Sequence, residues 1–253
     1  MLKMKLCLFV LLRFVVHFGP NMKNILVVFF ALALSGCGIV YDHVDPRRGL
    51  APQTPALLTA SENIGATSTS PVLIRIFKQS NELELWRKTS KGDYALVNIF
   101  TVCTYSGELG PKHRSGDRQA PEGFYSISAN QLNYHSIRFL SLNTGYPNNY
   151  DRVHKSAGSS LMIHGGCDSA GCYAIQDAPM QDLFAAVRDA LKAGQKSVQL
   201  QIYPFRMSGI SMLLNQDSKY IDFWNQLKVG YDKFNLTHHD LDVEVQHGRY
   251  VIN

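Results

Sequence analysis

The chain has 253 residues, of which 45% are hydrophobic and 18% are charged, a composition that can build a sizeable core. The formal net charge is +5, but four basic residues lie in the first 23 positions, where no acidic residue occurs. From Cys37 onward, 21 basic and 20 acidic residues nearly cancel. This balance gives no electrostatic basis for nucleic-acid binding, and we exclude that class of function.

The N-terminal segment 1–37 is predicted to be an export leader. Residues 22–37 place a lysine before an apolar run that is too short for an ordinary membrane span. The ending LSGC resembles a bacterial lipobox, which implies a lipid on Cys37; a plain signal peptide and an uncleaved anchor are the alternatives. Gly38 favours the outer membrane, so we expect a protein on the periplasmic side of the envelope. Met22 is the expected true start, with a membrane hairpin as the alternative.

After the leader we expect a flexible linker, a folded domain and a C-terminal extension. Residues 38–70 are rich in Pro, Thr, Ser and Ala without periodicity, which is typical of a linker. The domain is predicted over 71–205, and the extension, 206–253, is expected to pack on it. Alternating or turn-bounded apolar runs predict strands at 72–78, 82–88, 94–103, 124–128, 136–142, 160–164, 198–205 and within 242–252.

Two helices are predicted, both late in the chain. One begins near Pro179 and ends at Lys192, with apolar residues on one face. The other spans Asp217–Leu227. Strands outnumber helices, so we predict an α+β fold built on a mostly antiparallel β-sheet or sandwich, with helices mainly C-terminal. The Gly- and Pro-rich stretch 106–123 is a long loop, and such loops are often functional.

The stretch Ile163–Ile175, IHGGCDSAGCYAI, concentrates reactive residue types. Metal ligands are present in His164, Cys167, Asp168 and Cys172, but no second cysteine pair completes a zinc site, so no metal is expected. A Cys167–Cys172 disulfide could close the short loop between the two residues. Alternatively the cysteines are buried and inert, which is also what we expect for Cys103.

A catalytic cysteine is the fourth interpretation of the same stretch. A thiol that attacks an amide needs a base, backbone donors for the oxyanion, and close approach of the substrate. His164 ends a predicted strand, and Gly171 permits a sharp turn that could point the N–H groups of Gly171 and Cys172 at one spot. We therefore predict Cys172 as nucleophile, His164 as base and Gly171 as part of the oxyanion site. Cys167 is expected to be structural, although it is the rival nucleophile.

These residues resemble the catalytic signature of bacterial L,D-transpeptidases with a YkuD-type catalytic domain. Here the signature consists of His164-Gly165 followed by Ser169-Ala170-Gly171-Cys172, with Ala174 where the family usually has arginine. Longer runs resemble the YafK-like branch of murein L,D-transpeptidases and peptidoglycan–lipoprotein amidases, and the resemblance covers residues 70–252. These runs are IRIFKQSNELELW, YSGELGPKHRSGDRQAPEGFYSI, GYPNNYD and IYPFRMS.

The resemblance implies an acyl-enzyme mechanism on peptidoglycan. Cys172 would attack the carbonyl at the L-centre of meso-diaminopimelate in a stem peptide and form a thioester. Net ligation and net cleavage of the bond to the outer-membrane lipoprotein share this intermediate. Neither a metal nor an organic cofactor is implied. The expected partners are stem peptides, the peptidoglycan-bound lipoprotein, and a membrane reached through the lipid anchor.

Six side chains are expected to bind the substrate. Arg118, in the basic part of the long loop, is the leading candidate for the carboxylates of the stem peptide. The full set is Arg118, Tyr146, Tyr150, Arg152, Ser169 and Tyr173. Two other functions stay open at this point. One is a catalytically inactive peptidoglycan-binding lipoprotein, and the other is a redox protein with a cycling Cys167–Cys172 bond.

Overall fold

Eleven strands form in the part of the chain that this computed structural model describes, residues 45–253. They are β1 (Val72–Phe77), β2 (Glu82–Lys88), β3 (Tyr94–Tyr105), β4 (Gly123–Ile127), β5 (Leu132–Asn133), β6 (Ser141–Asn143), β7 (Met162–His164), β8 (Tyr173–Ile175), β9 (Val198–Tyr203), β10 (Val243–Gln246) and β11 (Arg249–Ile252). Nine of them join one sheet in the order β4-β9-β1-β2-β3-β8-β7-β6-β5, while β10 and β11 pair separately. The pairs β1–β9 and β7–β8 are parallel.

Five α-helices accompany the strands in residues 45–253. They are α1 (Pro55–Asn63), α2 (Asn149–Val153), α3 (Asp177–Lys192), α4 (Gly209–Leu214) and α5 (Ile221–Thr237), with short 3₁₀ turns at Pro46–Leu50 and Ala129–Gln131. The predicted α+β class is confirmed. The predicted antiparallel sheet or sandwich is corrected to one mixed sheet. Local alternation of side chains is the same in parallel and antiparallel strands, so the pattern alone could not give the pairing.

The best-signalled helix forms close to its predicted position. We expect a start near Pro179, and α3 begins two residues earlier, at Asp177, and ends at Lys192. Its buried apolar face includes Met180, Leu183, Phe184 and Val187. The second predicted helix forms, but further toward the C-terminus than expected. The sequence predicts it over Asp217–Leu227, and α5 runs from Ile221 to Thr237.

The strand predicted over 136–142 is wrong for most of its length. Strand β6 starts only at Ser141, and a turn precedes it. The Ser136 hydroxyl accepts a hydrogen bond from the Arg138 N–H at 3.1 Å, and Phe139 has a φ of +70°. A hydroxyl that satisfies a nearby backbone N–H competes with strand pairing, so the apolar alternation misleads here.

Residues 45–70 pack on the domain, which corrects the flexible linker predicted for 38–70. The Thr54 hydroxyl caps α1 and donates to the Asp182 carboxylate of α3 at 2.8 Å. The buried Arg87 guanidinium of β2 binds the same segment, because buried polar groups need hydrogen-bond partners. Its acceptors are the carbonyl oxygens of Thr67, Ser68 and Ser70 and the side-chain oxygen of Gln53.

The predicted leader, residues 1–37, lies outside the described residues, and Cys37 lies outside them with it. Residues 45–253 form one compact unit. The division of that unit into 71–205 and 206–253 stays a prediction. Within the described unit, no helix is both long enough and apolar enough to cross a membrane.

Strand β1 organises the core because both of its faces are buried. Alternate residues belong to two apolar clusters, one that includes residues of α3 and one that includes residues of α5. The members from β1 are Val72, Ile74 and Ile76 on the α3 side, and Leu73 and Phe77 on the α5 side. A continuous apolar run of this kind is typical of a strand covered on both faces.

A fully buried ion pair fixes the long loop 106–122 against the sheet. The Lys78 ammonium, directly after β1, lies 3.0 Å from the Glu122 carboxylate. The ammonium also donates to three carbonyl oxygens of the loop, those of Glu108, Gly110 and Ala120. Glu122 in turn accepts from the Gly110 N–H at 2.6 Å and from the Trp224 indole at 2.9 Å. Burial lowers the pKa of Lys78, and the charge of Glu122 opposes that effect.

Removing one partner of this pair should destabilise the protein. Lys78→Met leaves the Glu122 carboxylate buried without its cation, and we expect a loss of about 3–5 kcal/mol in the free energy of unfolding. The double variant Lys78→Met/Glu122→Gln should recover part of that loss. Urea denaturation measures both. The control is Lys228→Met, whose partner Asp232 is a surface residue, and we expect a change within about 1 kcal/mol. A Lys78→Met loss as small as the control's would contradict the assignment.

Candidate active site

The side chains of Cys172 and His164 line the same cavity because adjacent strands carry them. His164 ends β7, Cys172 directly precedes β8, and these strands pair in parallel. Side chains alternate along a strand, so Ile163 and Tyr173 point the other way, into the core. The cavity has a volume of about 380 Å³, and its other walls include Met162, Asp168, Ala170 and the turn Ser136–Arg138.

The Cys172 thiol is half-buried, and among the cysteines of residues 45–253 it is the free one. The N–H of Met162 points at Sγ at 3.4 Å. Burial raises the pKa of the thiol; the hydrogen bond from Met162 and the positive charges of Arg138 and Lys112 oppose this shift. The resting group at neutral pH is therefore the thiol, in an environment that already offers stabilisation to the thiolate.

The His164 imidazole is 5% exposed and is oriented by its own strand end. Its Nδ1 lies 2.7 Å from the Gly165 carbonyl oxygen. Because a carbonyl can only accept, this contact requires a proton on Nδ1 and leaves Nε2 as the acceptor in the neutral ring. Burial lowers the pKa of His164. The imidazole is thus neutral at pH 7 and able to take up a proton.

The backbone N–H groups predicted as oxyanion donors are both engaged in this structure. The Gly171 N–H donates to the Ser106 hydroxyl, and the Cys172 N–H donates to the Ser169 hydroxyl at 3.0 Å. Ser169 also donates to the Cys172 carbonyl at 2.6 Å, so it orders the turn instead of facing the cavity. Gly171 has a φ of +112°, which explains the need for glycine. Their role as oxyanion donors stays a prediction, and it would require both hydroxyl partners to give way to the substrate.

A disulfide joins Cys103 of β3 to Cys167, with 5.6 Å between the Cα atoms. This bond corrects the expectation that Cys103 is an inert buried thiol. In this structure it also removes Cys167 as a rival nucleophile and as a partner for Cys172. The disulfide ties the loop between His164 and Cys172 to the neighbouring strand. In residues 45–253, no group of three or more His, Cys, Asp or Glu side chains is placed to hold a metal.

None of the six side chains predicted to bind substrate lines the cavity of Cys172. Tyr173 is fully buried, and its hydroxyl donates to the Pro121 carbonyl at 2.6 Å. Tyr150 is also buried, with its ring stacked on Tyr250 at a centroid distance of 4.6 Å. Tyr146 is buried as well. Because all three tyrosines are buried, they belong to the core. Large aromatic side chains commonly have this packing role.

The two predicted arginines are exposed and do not line this cavity. Arg152 lines a separate cavity of about 460 Å³ beside β4. Arg118 lies in the loop 106–122, at a φ of +54°. Another residue of the loop 106–122, Lys112, carries the positive charge that lowers the pKa of the Cys172 thiol. Lys112 is buried and paired with Asp117.

Sequence reasoning missed two contributors to the site and ranked a third below Arg118. Lys112 lies in the basic part of the long loop, where the sequence favours Arg118 because the burial of Lys112 is not visible. Arg138 was hidden by the strand-like alternation of the segment SIRFL. Ser106 gives no signal at all, because only the fold brings its hydroxyl to the N–H of Gly171.

The pH dependence of alkylation tests the electrostatics of Cys172. Because burial raises the pKa of the thiol, its rate with iodoacetamide should keep rising above the pH at which an ordinary cysteine thiol is half ionised. Lys112→Met should slow the reaction at pH 8, since a charge that favours the thiolate is lost. Lys112→Arg, which keeps the charge, is the control. Peptide mass analysis reads the modification at Cys172, and a rate that levels off below the ordinary cysteine range would contradict the expectation.

Comparison with known proteins identifies the family. No family model matches the chain. The chain is 47% identical over 184 residues to the protein called "Putative L,D-transpeptidase YafK" in Escherichia coli K12, a match that covers 73% of this chain and 74% of that protein. Its identity to the protein of the same name in Escherichia coli O157:H7 is also 47%.

Solved structures give more distant similarities. The helical cell shape determining protein Pgp2 of Campylobacter jejuni has a TM-score of 0.43 at 15% identity, over 81% of each chain. Bd1075 of Bdellovibrio bacteriovorus has a TM-score of 0.37 at 20% identity, over 66% of this chain and 63% of that one. The E. coli match, in contrast, spans nearly three quarters of both sequences at 47% identity. The chain therefore belongs to the YafK-like branch of the L,D-transpeptidase family.

Proposed function

We propose that this protein is a cysteine enzyme that acts on peptidoglycan stem peptides through a thioester on Cys172. One observation carries the proposal: a free thiol and a neutral, oriented imidazole share one cavity in a chain of the L,D-transpeptidase family. The disulfide leaves no second thiol in that loop to compete. The substrate class comes from the family, and the roles of the two residues come from their chemistry.

The first half of the reaction forms the acyl-enzyme. Nε2 of His164 takes the proton of Cys172, and Sγ attacks the carbonyl carbon at the L-centre of meso-diaminopimelate. The tetrahedral intermediate collapses as the carbon–nitrogen bond breaks, and the leaving amine takes the proton from His164. The products are a thioester on Cys172 and a free amine. In the second half an amine or water attacks the thioester, and His164 accepts and returns the proton in the same way.

Oxyanion stabilisation requires a change in hydrogen bonding on substrate binding. The N–H groups of Gly171 and Cys172 are occupied by the hydroxyls of Ser106 and Ser169. The developing oxyanion is a stronger acceptor than a neutral hydroxyl, so it should displace one or both of them. Each such donor is worth on the order of 100- to 1,000-fold in rate.

The attacking group in the second half decides the net reaction. An amine of another stem peptide gives a transpeptidation product. Water gives hydrolysis, and if the leaving amine is the terminal lysine of the outer-membrane lipoprotein, the net reaction detaches that protein from peptidoglycan. Both outcomes use the same residues and the same thioester on Cys172.

Digestion of sacculi with the purified, detergent-solubilised protein tests the function. New 3–3 dimers among the muropeptides indicate ligation, and release of lipoprotein from its tripeptide indicates cleavage. Cys172→Ser should lose activity by at least about 1,000-fold, because a hydroxyl is a far weaker nucleophile than a thiolate. The acid limb of the pH profile should lie below the ordinary histidine pKa, since His164 must be neutral and its pKa is lowered. Full activity of Cys172→Ser would refute the mechanism.

A catalytically inactive binding lipoprotein is the second candidate. The occupied N–H groups of Gly171 and Cys172 favour it, because a site without free oxyanion donors is not ready for acyl transfer. A carbapenem distinguishes the two in the same experiment. An active thiol should give a covalent adduct by intact mass, absent in Cys172→Ser, whereas the inactive protein should give none. The redox alternative is weakened, since Cys167 is bonded to Cys103.

We further propose that lipid on Cys37 anchors the protein to the periplasmic face of the outer membrane. Seven residues, 38–44, separate Cys37 from the described domain, which corresponds to at most about 25 Å of extended chain. Metabolic labelling with an alkyne fatty acid should mark the wild type and not Cys37→Ala. The control, Cys172→Ala, removes a cysteine of the described domain and should keep the label. Equal labelling of the two variants would refute the anchor.

A further inference from the structure

The turn Ser136–Phe139, between β5 and β6, forms one wall of the cavity that holds Cys172. Phe139 has a φ of +70°, a costly conformation for a bulky residue that persists only where the surroundings enforce it. Ile137 also lines the cavity and is 88% exposed. The backbone is thus held in a strained shape that presents Ile137 and Arg138 beside the thiol.

Gly165, next to the catalytic histidine, enforces this shape. A Cβ at Gly165 would lie 2.8 Å from Cβ of Phe139 and 2.9 Å from the Arg138 carbonyl oxygen, so only glycine permits the approach. The Gly165 N–H donates to the Leu140 carbonyl at 3.1 Å. The Arg48 guanidinium lies over the Phe139 ring at 5.4 Å. The turn is therefore fixed directly against the strand end that carries His164.

Arg138 holds a carboxylate inside this cavity. Its guanidinium lies 2.7 Å from the Asp168 carboxylate, and the two side chains are 45% and 82% exposed. Asp168 belongs to the loop between His164 and Cys172. An exposed pair of this kind contributes little to stability and exchanges readily for another carboxylate. The planar guanidinium is suited to a two-point contact with such a ligand.

We propose that Arg138 binds a carboxylate of the acyl-donor peptide and that Asp168 occupies its place only in the unliganded protein. The proposal rests on the proposed function, because the ligand is the substrate of the same thiol. Meso-diaminopimelate fits the chemistry: its side chain ends in a free carboxylate, and its methylene groups can contact Ile137. Arg138 therefore sets specificity for a free carboxylate against a carboxamide.

A matched pair of peptides tests the specificity. The substrates are L-Ala-γ-D-Glu-meso-diaminopimelyl-D-Ala with the side-chain carboxylate of diaminopimelate either free or amidated. The wild type should have a KM roughly 10- to 100-fold lower for the free carboxylate, the range of a charge-assisted hydrogen bond. Arg138→Ala should abolish the preference, so that the ratio of the two KM values falls to about one. Arg138→Lys should keep part of the preference.

Asp168→Asn removes the competing carboxylate, so the KM of the free peptide should fall by roughly two- to five-fold. Arg249→Ala is the control, because Arg249 is an exposed arginine on β11 that does not line this cavity. Equal shifts of both peptides in Arg138→Ala, or no preference in the wild type, would overturn the proposal. Should the wild type turn over neither peptide, the proposed function fails. Calorimetric binding of the two peptides to Cys172→Ala then decides: an affinity difference that Arg138→Ala removes supports the role, and equal affinities overturn it.

Discussion

The buried ion pair between Lys78 and Glu122 is the constraint on which the site depends. A buried ammonium must be surrounded by acceptors, and here three loop carbonyls and one carboxylate converge on it. These contacts hold the loop 106–122 against the end of β1. From that loop come the Ser106 hydroxyl at Gly171, the Pro121 carbonyl at Tyr173 and the charge of Lys112 near the thiol. The surroundings of Cys172 thus depend on a salt bridge that Cys172 does not contact.

The electrostatics of the site are a balance between burial and fixed charges. Burial raises the pKa of Cys172 and lowers the pKa of His164, and the charge of Arg138 lowers the pKa of His164 further. The cations Arg138 and Lys112 and the Met162 N–H favour the thiolate once the proton has moved. The N–H groups of Gly171 and Cys172 donate to the hydroxyls of Ser106 and Ser169. Neither N–H group is therefore free to bind an oxyanion in the unliganded protein. Under the proposed mechanism, a bound substrate would have to replace these hydroxyls before the N–H groups could stabilise an oxyanion.

The cysteines divide two tasks between them. Cys103 and Cys167 are oxidised together and restrain the loop that joins His164 to Cys172. Cys172 is free in this structure, and Cys167, the other cysteine of that loop, is already bonded to Cys103. A structural disulfide is typical of oxidising compartments, which supports the proposed location in the envelope. The Ser136–Phe139 turn, which lines the same cavity, adds a second restraint through its contact with Gly165.

The sequence by itself determined the α+β class, the strands 72–77 and 82–88, the helix near Pro179, and the pairing of His164 with Cys172 in one site. These follow from local periodicity and from short spacing along one strand–turn–strand unit. The tertiary structure alone decided the mixed sheet and the Cys103–Cys167 bond, which joins residues 64 positions apart. Only the tertiary structure shows that the predicted tyrosines are core residues and that the charges of Arg138 and Lys112 act on the Cys172 thiol. Residue type and order carry no record of which distant segment will cover a given strand end, so long-range contacts of this kind appear only in the folded chain.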